Sequence, residues 1–179
     1  MGSKELSIRE ITDPAEFTKS AKIIRESFKT VAHEFGLTKE NAPTHTSFMT
    51  VRRLREEKKG EASFFGLFQG ERQTGFVMIE KARADFDPTL KLEITPETYW
   101  LEKLAVLPTY RHLGAGEKLV GFVAERIRQL GGKKVILGMM DQHKILQRWY
   151  QKLGFRVVST RTYPHLPFTV AFMVKDLSQ

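Results

Sequence analysis

A basic residue and two glycines stand where the sequence predicts that a strand ends and a helix begins. Residues 104–116 read LAVLPTYRHLGAG, an apolar stretch followed by Arg111, Gly114 and Gly116. Glycine lets the backbone approach a ligand closely, and the free amides of a first helical turn, with the helix dipole, favour a phosphate. The segment therefore predicts an anion site made largely of backbone, to which Arg111 and His112 can add charge.

The same segment excludes two well-known phosphate motifs. A P-loop needs Gly-Lys-Ser or Gly-Lys-Thr, and neither follows these glycines. A dinucleotide-binding loop has a longer glycine spacing and an acidic residue about 20 residues later, at the end of the next strand. Residues 135–138 hold no such residue. A turn from strand to helix without any ligand stays open as the alternative.

Hydrophobic periodicity and turn residues predict the elements that position this segment. Asp13, Pro14 and Glu16 combine a cap, a first-turn proline and a glutamate three residues after the cap. Asp141 is expected to cap the last helix, whose apolar residues include Ile145, and Leu130 of the preceding helix is expected to face the core. The predicted helices cover residues 13–36, 47–58, 116–130 and 141–154, and the predicted strands cover residues 5–11, 62–68, 74–82, 98–107, 133–138, 155–162 and 168–174.

The order of these elements predicts a mixed α/β sheet in one domain, residues 1–179. A strand is followed by two helices, three strands, a helix, a strand, a helix and two strands. The hairpins favour antiparallel pairing, and the strand–helix–strand unit over residues 98–138 favours one parallel crossover. We expect a central, mostly antiparallel sheet with helices on both faces.

Composition narrows the chemistry further. The chain of 179 residues has no Cys, which excludes disulfides, thiolate metal sites and a cysteine nucleophile and favours the reducing cytosol. No apolar run approaches the roughly 18 residues of a membrane span. Residues 1–4 are too polar to open a secretory signal, and Leu6 argues against myristoylation of Gly2. The five histidines show no spacing that suggests a metal site.

The net charge favours an anionic partner without naming it. Lys and Arg number 29 against 21 Asp and Glu, a formal net charge of +8. The charged run at residues 52–59 is interpreted as a solvated helix face in preference to a nucleic-acid patch. A basic nucleic-acid-binding domain is kept as an alternative, one that requires binding to DNA to weaken with salt.

Two linked motifs resemble the GNAT superfamily of N-acetyltransferases. Residues 111–116, RHLGAG, fit its motif A, which is Arg or Gln, two residues, Gly, any residue, then Gly or Ala. Residues 149–155, WYQKLGF, resemble its motif B, an aromatic-Tyr pair followed by Gly-Phe. The two motifs are separated by one predicted helix and one predicted strand, as in the family. The resemblance is sharp over residues 98–155 and extends loosely over the whole chain by element order.

The resemblance implies that acetyl-CoA is the cosubstrate. The loop amides and Arg111 would hold its pyrophosphate, and a bulge in the fourth strand would free backbone for the pantetheine arm. His143 stands where many members carry Asn and is a weaker candidate contact. The implied cofactor-binding residues are Leu104, Val106, Arg111, His112, Leu113, Gly114, Ala115, Gly116 and His143.

The resemblance also implies the catalytic residues Tyr150 and Glu102. Tyr150 matches the family tyrosine near the thioester sulfur, where a phenol of pKa about 10 can protonate a thiolate whose acid has a pKa of about 8.5. Glu102 is the candidate general base. It shares a face with Leu104 and Val106 by strand alternation unless a bulge intervenes. His165 and a water molecule are rival bases.

The expected function is N-acetyl transfer to a primary amine by direct transfer in a ternary complex. The acceptor, a small molecule or a peptide amine, is not readable from the residues, and a homodimer is left open. A domain that binds acyl-CoA without turnover is a further alternative. It requires stabilisation by acetyl-CoA but no acetylation of any amine.

Overall fold

The computed structural model describes residues 5–178, so the inference on residues 1–4 lies outside the described part of the chain. The predicted order of helices and strands is confirmed. The helices are α1 (Phe17–Glu34), α2 (Val51–Lys58), α3 (Ala115–Gln129) and α4 (Lys144–Lys152). The strands are β1 (Leu6–Glu10), β2 (Ser63–Gln69), β3 (Arg72–Lys81), β4 (Thr98–Val106), β5 (Lys134–Met140), β6 (Arg156–Thr162) and β7 (Thr169–Asp176).

The seven strands form one sheet in the order β1-β2-β3-β4-β5-β7-β6. β1 with β2, β2 with β3, β5 with β7 and β6 with β7 are antiparallel pairs. β4 and β5 are parallel, because the connection between them crosses over through α3. The predicted fold class, a mixed α/β protein with a mostly antiparallel sheet and one parallel crossover, is confirmed.

The described residues divide into two compact units. The first contains residues up to Ile79 together with Lys103–Phe122, and the second contains Glu80–Glu102 together with Val123 onward. The single domain predicted over residues 1–179 remains a prediction.

The first unit has an apolar layer on each face of β2. Phe64 packs against Phe17 of α1, with ring centroids 5.5 Å apart. Its neighbour Phe65 packs against Phe122 of α3 at 4.9 Å. Adjacent residues of a strand point to opposite faces, so this part of the sheet is covered on both sides. That explains why Phe64–Phe68 is a continuous buried run.

The second unit has an aromatic cluster that anchors the long segment between β3 and β4. Phe86 of this segment lies 4.9 Å from Trp100, and Trp100 lies 6.2 Å from Phe172, between ring centroids. Asp87 forms an ion pair of 3.1 Å with Arg161 of β6 and accepts a hydrogen bond from the Tyr163 hydroxyl. The charged segment is therefore held by both apolar and ionic contacts.

The start of α2 differs from the prediction. The spacing predicts a helix from residue 47, whereas Thr46–Phe48 form a 3-10 turn and α2 begins at Val51. The Thr50 hydroxyl caps α2 by accepting a hydrogen bond from Arg53 N at 3.2 Å. A side-chain cap that satisfies a first-turn amide fixes the start of the helix there.

The cap of α4 is a second correction. His143 caps this helix through Nδ1, which accepts from Leu146 N at 3.4 Å. Asp141, the predicted cap, instead accepts from the side chains of Lys144 and Gln147. Leu130, predicted to face the core, is 45% exposed because it lies at the end of α3, and Ile145 in the first turn of α4 is 70% exposed.

The charged run at the end of α2 forms ion pairs within the protein. Arg52 pairs with Glu56 at 3.8 Å, and Arg53 pairs with Glu57 at 3.0 Å. Both pairs have the i, i+4 spacing that brings helix side chains together. These pairs favour the interpretation of the run as a self-compensated helix face. Within residues 5–178, no helix is both long enough and apolar enough to span a membrane.

Candidate active site

Residues 108–116, called the glycine loop here, connect β4 to α3. The loop starts at a fixed point, because Leu107 N donates to Thr74 O of β3 at 2.9 Å. Pro108–Tyr110 then form a 3-10 turn. Gly114 has φ 74°, in the left-handed region that glycine adopts without steric cost. The last turn of the loop therefore depends on a glycine at this position.

The backbone amides at the start of α3 follow an exposed residue, Gly114. The first hydrogen bond of α3 joins Lys118 N to Gly114 O at 2.9 Å, so the amides of Gly114, Ala115 and Gly116 precede it and have no acceptor within the helix. A Cβ added to Gly114 would meet no atom of the described residues within 4 Å apart from those of its chain neighbours. Amides without an acceptor in the helix, together with the helix dipole, suit a phosphate group.

Arg111 has a structural role that the sequence did not predict. Its guanidinium donates to Val106 O at 3.1 Å, to Thr30 Oγ1 at 3.0 Å and to Ser27 O. These bonds use three of the five N–H donors of the side chain and tie the glycine loop to α1. Burial lowers the pKa of Arg111 from its ordinary value. The contact of Arg111 with a phosphate remains a prediction.

β4 is kinked at Lys103. Lys103 has φ 52°, which is uncommon for a residue other than glycine. The alternation that put Glu102 on the same face as Leu104 and Val106 does not continue through such a residue. The sequence argument for a shared face therefore no longer applies, and the role of Glu102 needs separate support. Leu104 is half-buried and Val106 is buried.

The ladder between β4 and β5 is short. It pairs Thr98–Trp100 with Lys134–Ile136, and β4 then continues through Leu101 and Glu102 beyond the paired residues. A strand that leaves its parallel neighbour exposes backbone donors and acceptors. The short ladder agrees with the bulge and splay that the family resemblance implies.

Glu102 lies at an open cavity of the second unit. The cavity measures about 310 Å³ and is lined by Glu80, Lys81, Arg83, Asp85, Phe86, Trp100 and Glu102. Arg83 and Asp85 form an ion pair of 3.2 Å at its edge. A half-buried carboxylate beside two aromatic rings can contact an amine that enters from solvent.

Tyr150 is a buried residue of α4. Its side chain is 5% exposed and packs between the rings of Trp149 and Phe155, with centroids 4.9 Å and 5.5 Å away. Burial raises the pKa of Tyr150, because desolvation penalises the phenolate. The phenol therefore stays protonated at neutral pH, as a hydrogen-bond donor must.

The three candidate histidines occupy different environments. His112 is exposed and adopts φ 63° within the glycine loop. His143 is half-buried, and its Nδ1 caps α4. His165 is exposed between β6 and β7, with its ring 5.7 Å from that of Tyr163. Their contacts with a cofactor or an acceptor remain predictions.

Sequence reasoning missed Lys103 and its partner. The Lys103 side chain is 5% exposed and lies 3.2 Å from Glu57 of α2. The sequence did contain a signal for the burial of Lys103. This residue is two positions from each of the apolar residues Leu101 and Ala105, and side chains at such spacing in a strand point to the same face. Its partner was not readable, since Glu57 belongs to a run of charges with several equivalent candidates.

Comparison with known proteins gives the class to which this fold and this loop belong. Residues 26–155 match the model of the Acetyltransferase (GNAT) family. That match covers most of the chain, including the glycine loop and Tyr150. The chain belongs to the Acetyltransferase (GNAT) family, and the family predicted from the two motifs is confirmed.

Individual relatives are more distant. The chain is 36% identical to uncharacterized N-acetyltransferases of Mycobacterium tuberculosis and Mycobacterium bovis over 63 residues. That match spans 35% of this chain and only 40% of the length of those relatives.

Solved structures match over nearly the whole chain. An acetyltransferase of the GNAT family from Staphylococcus aureus has a TM-score of 0.68 at 17% identity and covers 97% of this chain and 100% of its own. The PaiA N-acetyltransferase of Thermoplasma acidophilum, in complex with coenzyme A, has a TM-score of 0.67 at 18% identity, covering 96% and 99%. At these identities the likeness concerns the fold alone.

Proposed function

We propose that this protein is an acetyl-CoA-dependent N-acetyltransferase that acetylates a primary amine by direct transfer in a ternary complex. The observation that carries the proposal is the set of amides at the start of α3 that have no acceptor within the helix, next to an exposed Gly114 in the left-handed conformation. Membership in the family and a coenzyme A complex among the similar structures support it.

In the proposed complex, backbone groups make most of the contacts with acetyl-CoA. The amides of residues 113–116 bind the pyrophosphate, and the N–H groups of Arg111 that do not hold α1 add charge there. Leu104 and Val106 offer backbone to the pantetheine arm along the part of β4 that follows the kink. His112 and His143 lie at the edges of this contact. Bound acetyl-CoA supplies the activated acetyl group.

Glu102 is the proposed general base for the acceptor amine. A primary amine has a pKa near 10.4 and must lose a proton before it can attack a carbonyl carbon. Glu102 accepts that proton, directly or through water, from an amine in the cavity that it lines. His165 is the rival base. It is exposed on a loop, where a proton acceptor is less well fixed.

Tyr150 is the proposed proton donor to the sulfur of coenzyme A as it departs. As the amine nitrogen bonds to the acetyl carbon and the carbon–sulfur bond breaks, Tyr150 donates its phenol proton toward the sulfur. Burial keeps this proton in place until it is needed, because it raises the pKa of the phenol. No Cys is present to carry the acetyl group, so transfer to the amine is direct.

Thermal unfolding with and without acetyl-CoA tests the proposal. At 100 times its dissociation constant the ligand should add about 2.7 kcal/mol to the free energy of unfolding. A panel of primary amines with thiol detection then measures turnover. Stabilisation without turnover of any amine would favour the acyl-CoA-binding alternative, and absence of stabilisation would refute both.

A further inference from the structure

The cavity that Glu102 lines contains two aromatic rings. Phe86 and Trp100 both belong to its wall, and their ring centroids lie 4.9 Å apart. Trp100 is 6% exposed, whereas Phe86 is 51% exposed and presents a large apolar surface to solvent. All of the lining residues belong to the segment Glu80–Glu102 of the second unit. An apolar surface and a carboxylate are therefore neighbours within one unit.

Contacts on both sides of Phe86 fix the position of its ring. Phe86 N donates to Arg83 O at 3.1 Å, which closes the turn that precedes the ring. The next residue, Asp87, accepts from the Thr89 hydroxyl at 2.6 Å and pairs with Arg161 of β6 at 3.1 Å. A ring on an anchored segment loses little conformational freedom when a ligand packs against it. Phe86 therefore offers a rigid contact surface to a ligand.

The charged residues of the cavity favour a ligand with a single positive charge. Its wall contains three carboxylates and two cations, Glu80, Asp85 and Glu102 against Lys81 and Arg83. One net negative charge results, whichever of these groups pair with one another. This charge attracts a monocation and repels a carboxylate. A second cationic centre in the ligand, as in a polyamine, would meet the two cations of the wall.

We propose that the acceptor is a primary amine that carries one aromatic group and no carboxylate. Its nitrogen lies at Glu102 and its aromatic group packs against Phe86, since both residues line the same cavity. Aromatic rings attract one another beyond the gain from buried area. A cavity of about 310 Å³ is at the lower end of the size of ligand sites, which suits one ring on a short amine arm.

This inference rests on the proposed function and names the substrate class of the same site. The ammonium nitrogen gives one proton to Glu102 and bonds to the acetyl carbon. It loses a second proton as the amide forms. The carbon–sulfur bond breaks, and coenzyme A departs as the thiol, so that one proton is released overall. The aromatic group takes no part in these steps and contributes only binding.

A panel of amines tests the substrate class. 2-Phenylethylamine has the ring, ethylamine lacks it, phenylalanine adds a carboxylate, and spermidine replaces the ring with further cationic centres. Steady-state kinetics with acetyl-CoA are expected to give 2-phenylethylamine a kcat/KM about tenfold or more above that of each of the others. A smaller preference over any one of the three overturns the inference. In particular, equal values for ethylamine would mean that the rings contact only the ammonium group.

Variants of Phe86 test the proposed contact. Phe86→Ala is expected to raise the KM for 2-phenylethylamine about tenfold or more and the KM for ethylamine less than about twofold. Phe86→Tyr retains a ring and should retain the wild-type preference. Leu130→Ala is the matched control, because Leu130 is 45% exposed at the end of α3 and does not line the cavity. Equal changes for both amines in Phe86→Ala would reduce Phe86 to structural support and overturn the inference.

Fluorescence measures binding of the amine without turnover. The chain has two tryptophans, so in Trp149→Phe the emission comes from Trp100 alone. In the presence of coenzyme A, 2-phenylethylamine is expected to change this emission at concentrations at which ethylamine does not. An emission that 2-phenylethylamine leaves unchanged would contradict binding beside Trp100.

The outcomes distinguish the two proposals. If acetyl-CoA does not stabilise the protein, or if no primary amine is acetylated, the proposed function is overturned and the substrate class with it. If amines are acetylated but the ring gives no advantage, only the substrate class is overturned.

Discussion

The glycine loop and the kink of β4 both contain backbone at positive φ, but different forces hold it there. Gly114 reaches φ 74° because it lacks a side chain, and no neighbouring element fills the space where a Cβ would stand. Lys103 reaches φ 52° with a long side chain whose ammonium is held by Glu57. The conformation of Gly114 follows from its residue type alone, whereas the side chain of Lys103 is held by a residue of another element.

This difference determines how each region can be altered. Under the proposed function the glycine loop binds through backbone amides, so an added side chain should obstruct the ligand and little else. The conformation at the kink involves a buried side-chain charge, so removal of that side chain should disturb both stability and geometry. The predictions below test these two statements, beginning with the largest expected effect.

Gly114→Val should weaken acetyl-CoA binding at least 100-fold. The added side chain would stand over the amides that precede Lys118 N, where the structure leaves open space. Isothermal titration calorimetry with acetyl-CoA measures the loss.

Gly131→Val is the matched control for Gly114→Val. Gly131 has φ 78°, and a Cβ added there would also meet no atom of the described residues within 4 Å apart from those of its chain neighbours. Both variants should lose about 1–2 kcal/mol of stability from backbone strain, but only Gly114→Val should lose affinity. Equal affinities in the two variants would contradict a phosphate site at the glycine loop.

Lys103→Gly should destabilise the protein although glycine suits the backbone. Breaking a buried ion pair costs about 3 kcal/mol, and relief of the left-handed strain returns about 1 kcal/mol. Urea denaturation should therefore show a net loss of about 2 kcal/mol. Glu56→Gln, which breaks an exposed pair on α2, should stay within about 0.5 kcal/mol of wild type. A stabilised Lys103→Gly variant would show that the backbone alone shapes the kink.

The same contrast explains what the sequence could predict. The glycine loop was predictable because its strand end, its arginine and its glycines are consecutive. Element order was equally accessible, since periodicity and turn residues are local. Lys103 and Glu57 were not paired in advance, because nothing in a single sequence states which residue of the α2 charge run meets β4. His143 was interpreted as a weak cofactor contact or a residue of the helix-capping region, and its ring caps α4.

Tyr150→Phe should lower kcat about tenfold or more, because general acid catalysis contributes on the order of 100-fold or above when it is fully realised. Acetyl-CoA affinity should change less than twofold, since the packing between Trp149 and Phe155 needs the ring and not the hydroxyl. Steady-state kinetics and calorimetry on the same preparation provide both values. Unchanged turnover would remove Tyr150 from the chemistry and leave it as a core residue.

The smallest expected effect concerns His45, in the segment between α1 and α2. Its Nδ1 lies 2.8 Å from Ser47 Oγ. Burial, reinforced by the nearby charge of Arg53, lowers the pKa of His45 below its ordinary 6.5. The folded protein therefore binds fewer protons here than the unfolded chain. The stability contributed by His45 is complete above pH 6.5 and is lost as pH falls toward the lowered value.

His45→Gln should flatten the decline in the free energy of unfolding between pH 7.5 and pH 5.5. His33→Gln should leave that decline unchanged, because His33 is exposed at the end of α1. Urea denaturation at the two pH values measures both variants. A decline that persists in His45→Gln would mean that protonation elsewhere loosens the protein. A flattened decline would show that the packing around His45 disfavours the charged imidazole, whereas at the kink of β4 a buried charge is accepted because it is paired.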